Sequence, residues 1–217
     1  GIPAHALDPK EALELEPALS PQVITAYAVE DASIDPFKLS MENMDQALSL
    51  GGSLLCHTKV VGFERSNRRI QSVWLKNTRT GVTTNVEAEQ VINATGAWAG
   101  EVAALAGISI DLLYSKGSLL ITDSRIAKKV VNRLRPSSDA DILVPGGTVS
   151  LLGTTSIRIE SLDDIRPTIA EMDHIIDQAA EVIPVLKDTR YIRAYSGVRP
   201  LVASQSAGDD RCVSRSF

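Results

Sequence analysis

Arg199 lies in the run Tyr195-Ser196-Gly197-Val198-Arg199-Pro200, behind a glycine that clears space and before a proline suited to an edge or interrupted strand. A guanidinium held in this way presents planar donors in a fixed geometry, a fork that suits a carboxylate or a phosphate. The structural alternative for the same residue is an ion pair with an acid such as Asp141. Lys116 precedes Gly117 at the start of an apolar strand, where its charge either adds positive potential beside such an anion or is solvated. Arg193 shares a side of the strand with Arg199 if the strand runs uninterrupted, and it ranks behind Arg199.

Residues 91–100, Val-Ile-Asn-Ala-Thr-Gly-Ala-Trp-Ala-Gly, offer a second kind of chemistry. An apolar strand runs into a tight Thr-Gly turn and then a helix start, which is how a parallel sheet brings backbone N–H groups to a ligand at its carboxyl edge. Gly96 lets a ligand approach the backbone of Thr95 closely. A plain strand-to-helix turn is the alternative. No G-x-G-x-x-G occurs in the 217 residues, so the chain reads as the middle of a nucleotide-binding enzyme, a fragment without the first phosphate loop.

Other chemistries find little support. Ser118 and Ser196 have no nearby histidine and no G-x-S-x-G occurs, which disfavours a hydrolase. His5, His57 and His174 have no zinc-site spacing, Cys56 and Cys212 read as reduced thiols, and no metal site is expected. His174 reads as a partly exposed helix residue without a role. The pairs Asp163-Asp164 and Asp209-Asp210 read as solvated loop charge. A net charge of −5, no basic stripe and 4% aromatic residues argue against nucleic acid as a partner. No apolar run reaches the ~18 residues of a membrane span.

Local signals predict the elements that must hold these residues. Asp8-Pro9-Lys10-Glu11 predicts a capped short helix ending near Pro17, with a strand over 23–29 after it. Leu39, Met41, Met44, Ala47 and Leu48 recur at helical spacing until Gly51-Gly52, and the methionines read as core filler. Strands over 54–62, 70–75 and 83–88 make a three-stranded meander, with Val73 and Leu75 on one face and Trp74 on the other. Residues 91–94 read as a strand buried on both faces, followed by a short helix capped by Gly107. Beyond it, strands over 112–122, 142–144, 149–152 and 191–202 look antiparallel. One strong helix interrupts them, with a capping box at Thr168-Ile169-Ala170-Glu171, an apolar stripe of Met172, Ile175, Ile176, Ala179, Val182 and Ile183, and a stop at Pro184.

The order of strand, meander, apolar strand and Ala-Thr-Gly-x-Trp resembles the FAD-dependent oxidoreductases of the D-amino-acid-oxidase type. By that resemblance Ala94, Thr95 and Gly96 lie against FAD, and Val60, in Thr58-Lys59-Val60, contacts the adenine through its backbone. Ser196-Gly197-Val198-Arg199-Pro200-Leu201 is similar to the motif of FAD-dependent glycerol-3-phosphate dehydrogenases in which the arginine binds substrate. Lys116-Gly117-Ser118, Gly153-Thr154-Thr155-Ser156 and Asp35-Pro36 agree with it. Residues 139–146 and 193–204 resemble the flavin-binding chain of the anaerobic branch in particular. Where aerobic relatives carry a histidine after Lys-Gly-Ser, Leu119 stands here.

The resemblance implies an α/β plus α+β fold. A partial FAD-binding, Rossmann-like domain with a β-meander would span 35–107, and a mainly antiparallel substrate domain with helices would span 1–34 and 108–204, ending in a truncated loop at 205–217. It implies an enzyme oxidising sn-glycerol 3-phosphate to dihydroxyacetone phosphate, with Arg199, Ser196 and Lys116 toward the substrate and Val60, Ala94, Thr95 and Gly96 toward FAD. Electrons would pass through partner subunits to quinone, with the complex peripheral at the inner face of the cytoplasmic membrane. The 217 residues alone are expected to hold FAD weakly and to be inactive. The alternatives are an amine or amino-acid oxidase of the same fold, with Arg199 on a carboxylate, and, for the isolated chain, a non-catalytic small-molecule-binding domain.

Overall fold

The computed structural model describes residues 2–163 and 165–202, and the chain divides into two units, Gly1–Ser33 with Leu113–Phe217 and Ile34–Leu112. In the first, β1 (Ala4–Leu7) leads into α1 (Pro9–Leu15) and then β2 (Ala26–Val29), which pairs antiparallel with β1. The capping box at Asp8 forms: its carboxylate accepts from the Glu11 N–H at 2.9 Å, and the Glu11 carboxylate accepts from the Asp8 N–H at 3.0 Å. β1 carries no sequence signal, because four residues are too few to show a period.

The second unit begins with α2 (Pro36–Ser49), capped by Asp35, which accepts from the N–H groups of Phe37 and Lys38 at 3.0 and 3.1 Å. Its apolar spacing is helical as expected, but Met41 and Met44 are 70% and 44% exposed and not core filler, since the helix buries no residue among those described. β3 (Thr58–Ser66), β4 (Arg69–Asn77) and β5 (Thr83–Glu87) form the expected antiparallel meander in chain order. Its first hairpin turns on Asn67 and Arg68, both left-handed (φ 50° and 67°), as the favoured two-residue hairpin turn requires. β3 starts later than expected because His57, at φ 54°, breaks the extended chain and leaves Leu54 and Leu55 exposed outside it. After the meander, α3 (Ala99–Leu105) ends at Gly107, and the Arg65 guanidinium donates to the Ala106 carbonyl, tying β3 to the end of α3.

Residues 91–94 differ most from the sequence reading: they form no strand, and Val91 and Ile92 are 37% and 87% exposed. An apolar run supplies the propensity for a buried strand, but a ladder needs neighbours on both sides. Among the described residues none pairs with this segment.

The first unit resumes with β6 (Leu112–Thr122), β7 (Val131–Asn132), β8 (Ile142–Gly146), β9 (Val149–Gly153) and β10 (Ile157–Ile159), then α4 (Ile169–Ala180) and β11 (Tyr191–Val202). The sheet runs β10-β6-β9-β8-β7, and β11 also pairs with β6. Leu120, Leu143 and Leu152 of the sheet pack against Ile175, Ala179, Ile183 and Leu186, so the expected stripe is the core face of α4 and the turn after it. Side chains alternate across a strand, so Lys116 and Ser118 share the α4 side of β6 with Leu120, while Gly117 and Leu119 face the other way. Burial pushes the Tyr191 phenol up to about 12, which keeps its hydroxyl a donor to the Leu186 carbonyl at 2.8 Å.

Ile175 has no exposed surface, whereas Val185 is 49% exposed. Ile175→Ala is expected to cost about 2–5 kcal/mol in urea unfolding, and Val185→Ala no more than about 0.5 kcal/mol.

Candidate active site

The guanidinium of Arg199 crosses β6 at Gly117. A Cβ placed on Gly117 would lie 2.6 Å from Nη2, 2.8 Å from Nη1 and 2.9 Å from Cζ, all inside contact distance. The glycine is therefore a steric condition of this arginine, not a turn residue. Nη2 donates to Thr154 Oγ1 at 2.8 Å, and Nη1 reaches the Thr155 carbonyl at 3.4 Å. Asp141, the acid weighed as a structural partner for Arg199, is held by Arg135 Nε at 2.7 Å and the Ser138 N–H at 2.6 Å. Arg193 is exposed, and His174 is half-exposed with Nε2 3.3 Å from Asp139.

On the opposite face, under α4, a buried carboxylate gathers the neighbours of Gly117. Glu171 is 6% exposed. Its Oε2 accepts from Lys116 Nζ at 2.9 Å, the Thr168 N–H at 2.9 Å and Thr168 Oγ1 at 2.8 Å. Its Oε1 accepts from Ser118 Oγ at 2.8 Å and, more weakly, from Thr155 Oγ1 at 3.4 Å. Burial raises the carboxyl pKa, but the Lys116 ammonium and the Ser118 and Thr168 donors outweigh it and hold the group at about 2, against an ordinary 4.5. Lys116 is also 6% exposed and donates to the Arg166 carbonyl at 3.1 Å. It is therefore not a solvated strand-end lysine, and Glu171 balances its charge.

Proton counting orients Ser196. An ionised carboxylate only accepts, so Ser118 spends its one hydroxyl proton on Glu171. The 2.8 Å contact between the Ser118 and Ser196 hydroxyls then has Ser196 as donor, leaving Ser196 its lone pairs to offer elsewhere. Lys116 and Ser196 thus lie on the Glu171 side of the sheet and Arg199 on the other, so the three residues do not form one cluster. Glu171 enters the sequence reading only as the last residue of a capping box. A signal was present: it stands four residues before Ile175, so a charge continues the buried apolar stripe.

In the other unit, Asn93 shapes the Ala-Thr-Gly turn. Its Oδ1 accepts from Thr95 Oγ1 at 2.7 Å and its Nδ2 donates to the Ala99 carbonyl at 2.9 Å. Ala94, Thr95 and Gly96 are exposed. Gly96 is left-handed (φ +59°), and a Cβ built on it would meet nothing within 4 Å. Val60 pairs with Leu75 just before a register shift in the β3–β4 ladder. An open backbone at a glycine turn and an interrupted ladder fit a planar ligand that is read through main-chain atoms.

The chain belongs to the FAD-dependent oxidoreductase family, whose family model matches residues 1–214. It is 45% identical over 217 residues to the A subunit of anaerobic glycerol-3-phosphate dehydrogenase from Escherichia coli (strain K12), covering 99% of this chain and 40% of that one. The A1 subunit of the same enzyme from Haloferax volcanii is 36% identical over 229 residues, covering 100% and 39%. The chain thus spans about two fifths of the length of these relatives. Among solved structures, the glycerol-3-phosphate dehydrogenase from Bacillus halodurans complexed with FAD aligns with a TM-score of 0.78 at 25% identity, covering 92% of this chain and 42% of that one. L-proline dehydrogenase from P. horikoshii aligns at 0.77 and 25%, covering 94% and 54%.

Gly117→Ala is expected to displace the guanidinium and to cost no more than about 1 kcal/mol in urea unfolding, because the new methyl meets only the far end of a flexible side chain. Gly117→Ala/Arg199→Ala should recover most of that loss. Because the folded pKa of Glu171 lies below its unfolded value, its stabilisation is fully present above pH 4.5 and disappears as pH falls through about 2. Urea midpoints measured from pH 6 to pH 2 should show this loss, on the order of 3 kcal/mol, and Lys116→Met/Glu171→Leu, which removes both charges, should flatten it.

Proposed function

We propose that the whole protein containing this chain is an FAD-dependent dehydrogenase that oxidises sn-glycerol 3-phosphate to dihydroxyacetone phosphate. The observation that carries this reading is Arg199 on Gly117, its fork held by Thr154 Oγ1 at 2.8 Å, in a chain 45% identical to part of a glycerol-3-phosphate dehydrogenase. A guanidinium fork suits a phosphate in both charge and geometry. Bound FAD supplies the acceptor for the hydride from C2, while the hydroxyl proton goes to a base.

Arg199 neutralises and orients the phosphate, while Ser196, on the Glu171 side of the sheet, is engaged with the Ser118 hydroxyl. Glu171 is not the base, since a carboxylate held at about 2 by five donors is a poor proton acceptor. Val60, Ala94, Thr95 and Gly96 would hold the cofactor through their backbone, so Ile34–Leu112 is the flavin-side unit and the remainder the substrate-side unit. The relatives are A or A1 subunits of an anaerobic enzyme, which supports partner subunits, and in the proposed enzyme the electrons pass through such partners to quinone. In the proposed complex this chain lies peripherally at the inner face of the cytoplasmic membrane; no helix among the described residues is long and apolar enough to cross a membrane.

The likeness to L-proline dehydrogenase supports a second reading, oxidation of an amino acid with Arg199 on the carboxylate. One assay separates the two. In the whole protein with FAD bound, Arg199→Ala is expected to lower kcat/KM for dye-coupled glycerol 3-phosphate oxidation by about 2–5 kcal/mol, roughly 30- to 5,000-fold, with the flavin retained. Unchanged kinetics would remove Arg199 from the substrate site, and turnover of an amino acid in place of glycerol 3-phosphate would establish the second reading.

A further inference from the structure

Gly117 is held from below. Its two chain neighbours, Lys116 and Ser118, send their side chains to the α4 face of β6, and both end on the same carboxylate, at 2.9 Å on Oε2 and 2.8 Å on Oε1 of Glu171. That carboxylate is itself fixed to the first turn of α4 through Thr168. On the upper face the guanidinium of Arg199 rests on Gly117 so closely that even a methyl group there would collide. Any change in the height or tilt of Gly117 therefore moves the seat of the fork. The Ser118 N–H also donates to Thr155 Oγ1 at 3.0 Å, beside Thr154, whose hydroxyl accepts from Arg199.

We propose that Glu171 is a positioning residue for the anion fork: from beneath the sheet it clamps the residues on either side of Gly117 and so sets where Arg199 meets the substrate's phosphate. This role rests on the reading of Arg199 as the phosphate contact. Glu171 touches neither substrate nor cofactor in this arrangement and acts only through β6.

A double-mutant cycle in the whole FAD-bound protein tests the proposal. Glu171→Gln alone leaves Lys116 buried without its counter-charge, a change that unfolds marginal proteins. The pair Lys116→Met/Glu171→Leu removes both charges at similar volume and is the variant of choice, with thermal melting confirming the fold. It is expected to raise KM for glycerol 3-phosphate about fivefold, the scale of one or two lost hydrogen bonds, with kcat changed less than about twofold. The inhibition constant of inorganic phosphate should rise in parallel. Ser118→Ala, which keeps the ion pair, should raise KM about twofold.

In an Arg199→Ala background the same substitutions should add almost nothing. An equal rise in KM in both backgrounds, or no rise in the first, would overturn the clamp and leave Glu171 a packing residue. Should Arg199→Ala itself leave KM unchanged, the phosphate reading fails, and that single variant reports it separately.

Discussion

The carboxylate of Glu171 is the point on which the larger unit is organised. An ionised group buried to 6% exposure costs several kcal/mol in lost hydration unless charge and hydrogen bonds replace the water. Here Lys116, Ser118, Thr155 and Thr168 replace it. One side chain therefore completes the capping box of α4, neutralises a buried lysine and joins the helix to β6. Removing the ammonium alone would leave the charge without compensation, so the helix start, the strand and the loop at Arg166 are ordered together.

β6 separates two kinds of chemistry by the alternation of its side chains. Its α4 face, at Lys116, Ser118 and Leu120, is committed to structure, while Gly117 on the other face provides the seat for Arg199. The polar layer below fixes the strand on which the fork rests, and Thr154 and Thr155 hold the guanidinium itself. A rigid fork holds an anion at less entropic cost than a mobile one. The turn at Ala94–Gly96 follows a similar economy on a smaller scale: the Asn93 side chain supplies the local hydrogen bonds, and the glycine leaves the backbone open.

Much of this was legible in the sequence. Both capping boxes, the meander with its turns, and the strands Leu112–Thr122 and Tyr191–Val202 follow from spacing and turn residues. What failed was what depends on distant chain. The partner of Lys116 lies 55 residues away, and nothing near Lys116 reveals that its charge is buried. The steric demand on Gly117 is likewise set from a strand that begins at Tyr191. Residues 91–94 and the methionines of α2 have the composition of buried segments, but burial needs a neighbour, and composition does not supply one. Arg199 stands on the other face of the sheet from Ser196 and Lys116 for a geometric reason, since neighbours in a motif alternate between faces once the motif is a strand.

The Lys116–Glu171 pair also constrains how this sequence can change over generations. Either substitution alone strands a buried charge, whereas the two together can be nearly neutral. A lineage leaves this state only through a poorly folded intermediate or by two changes at once. Through their shared contact with the strand under Arg199, the drift of two residues hidden from solvent is thereby slowed to the pace of the site they support.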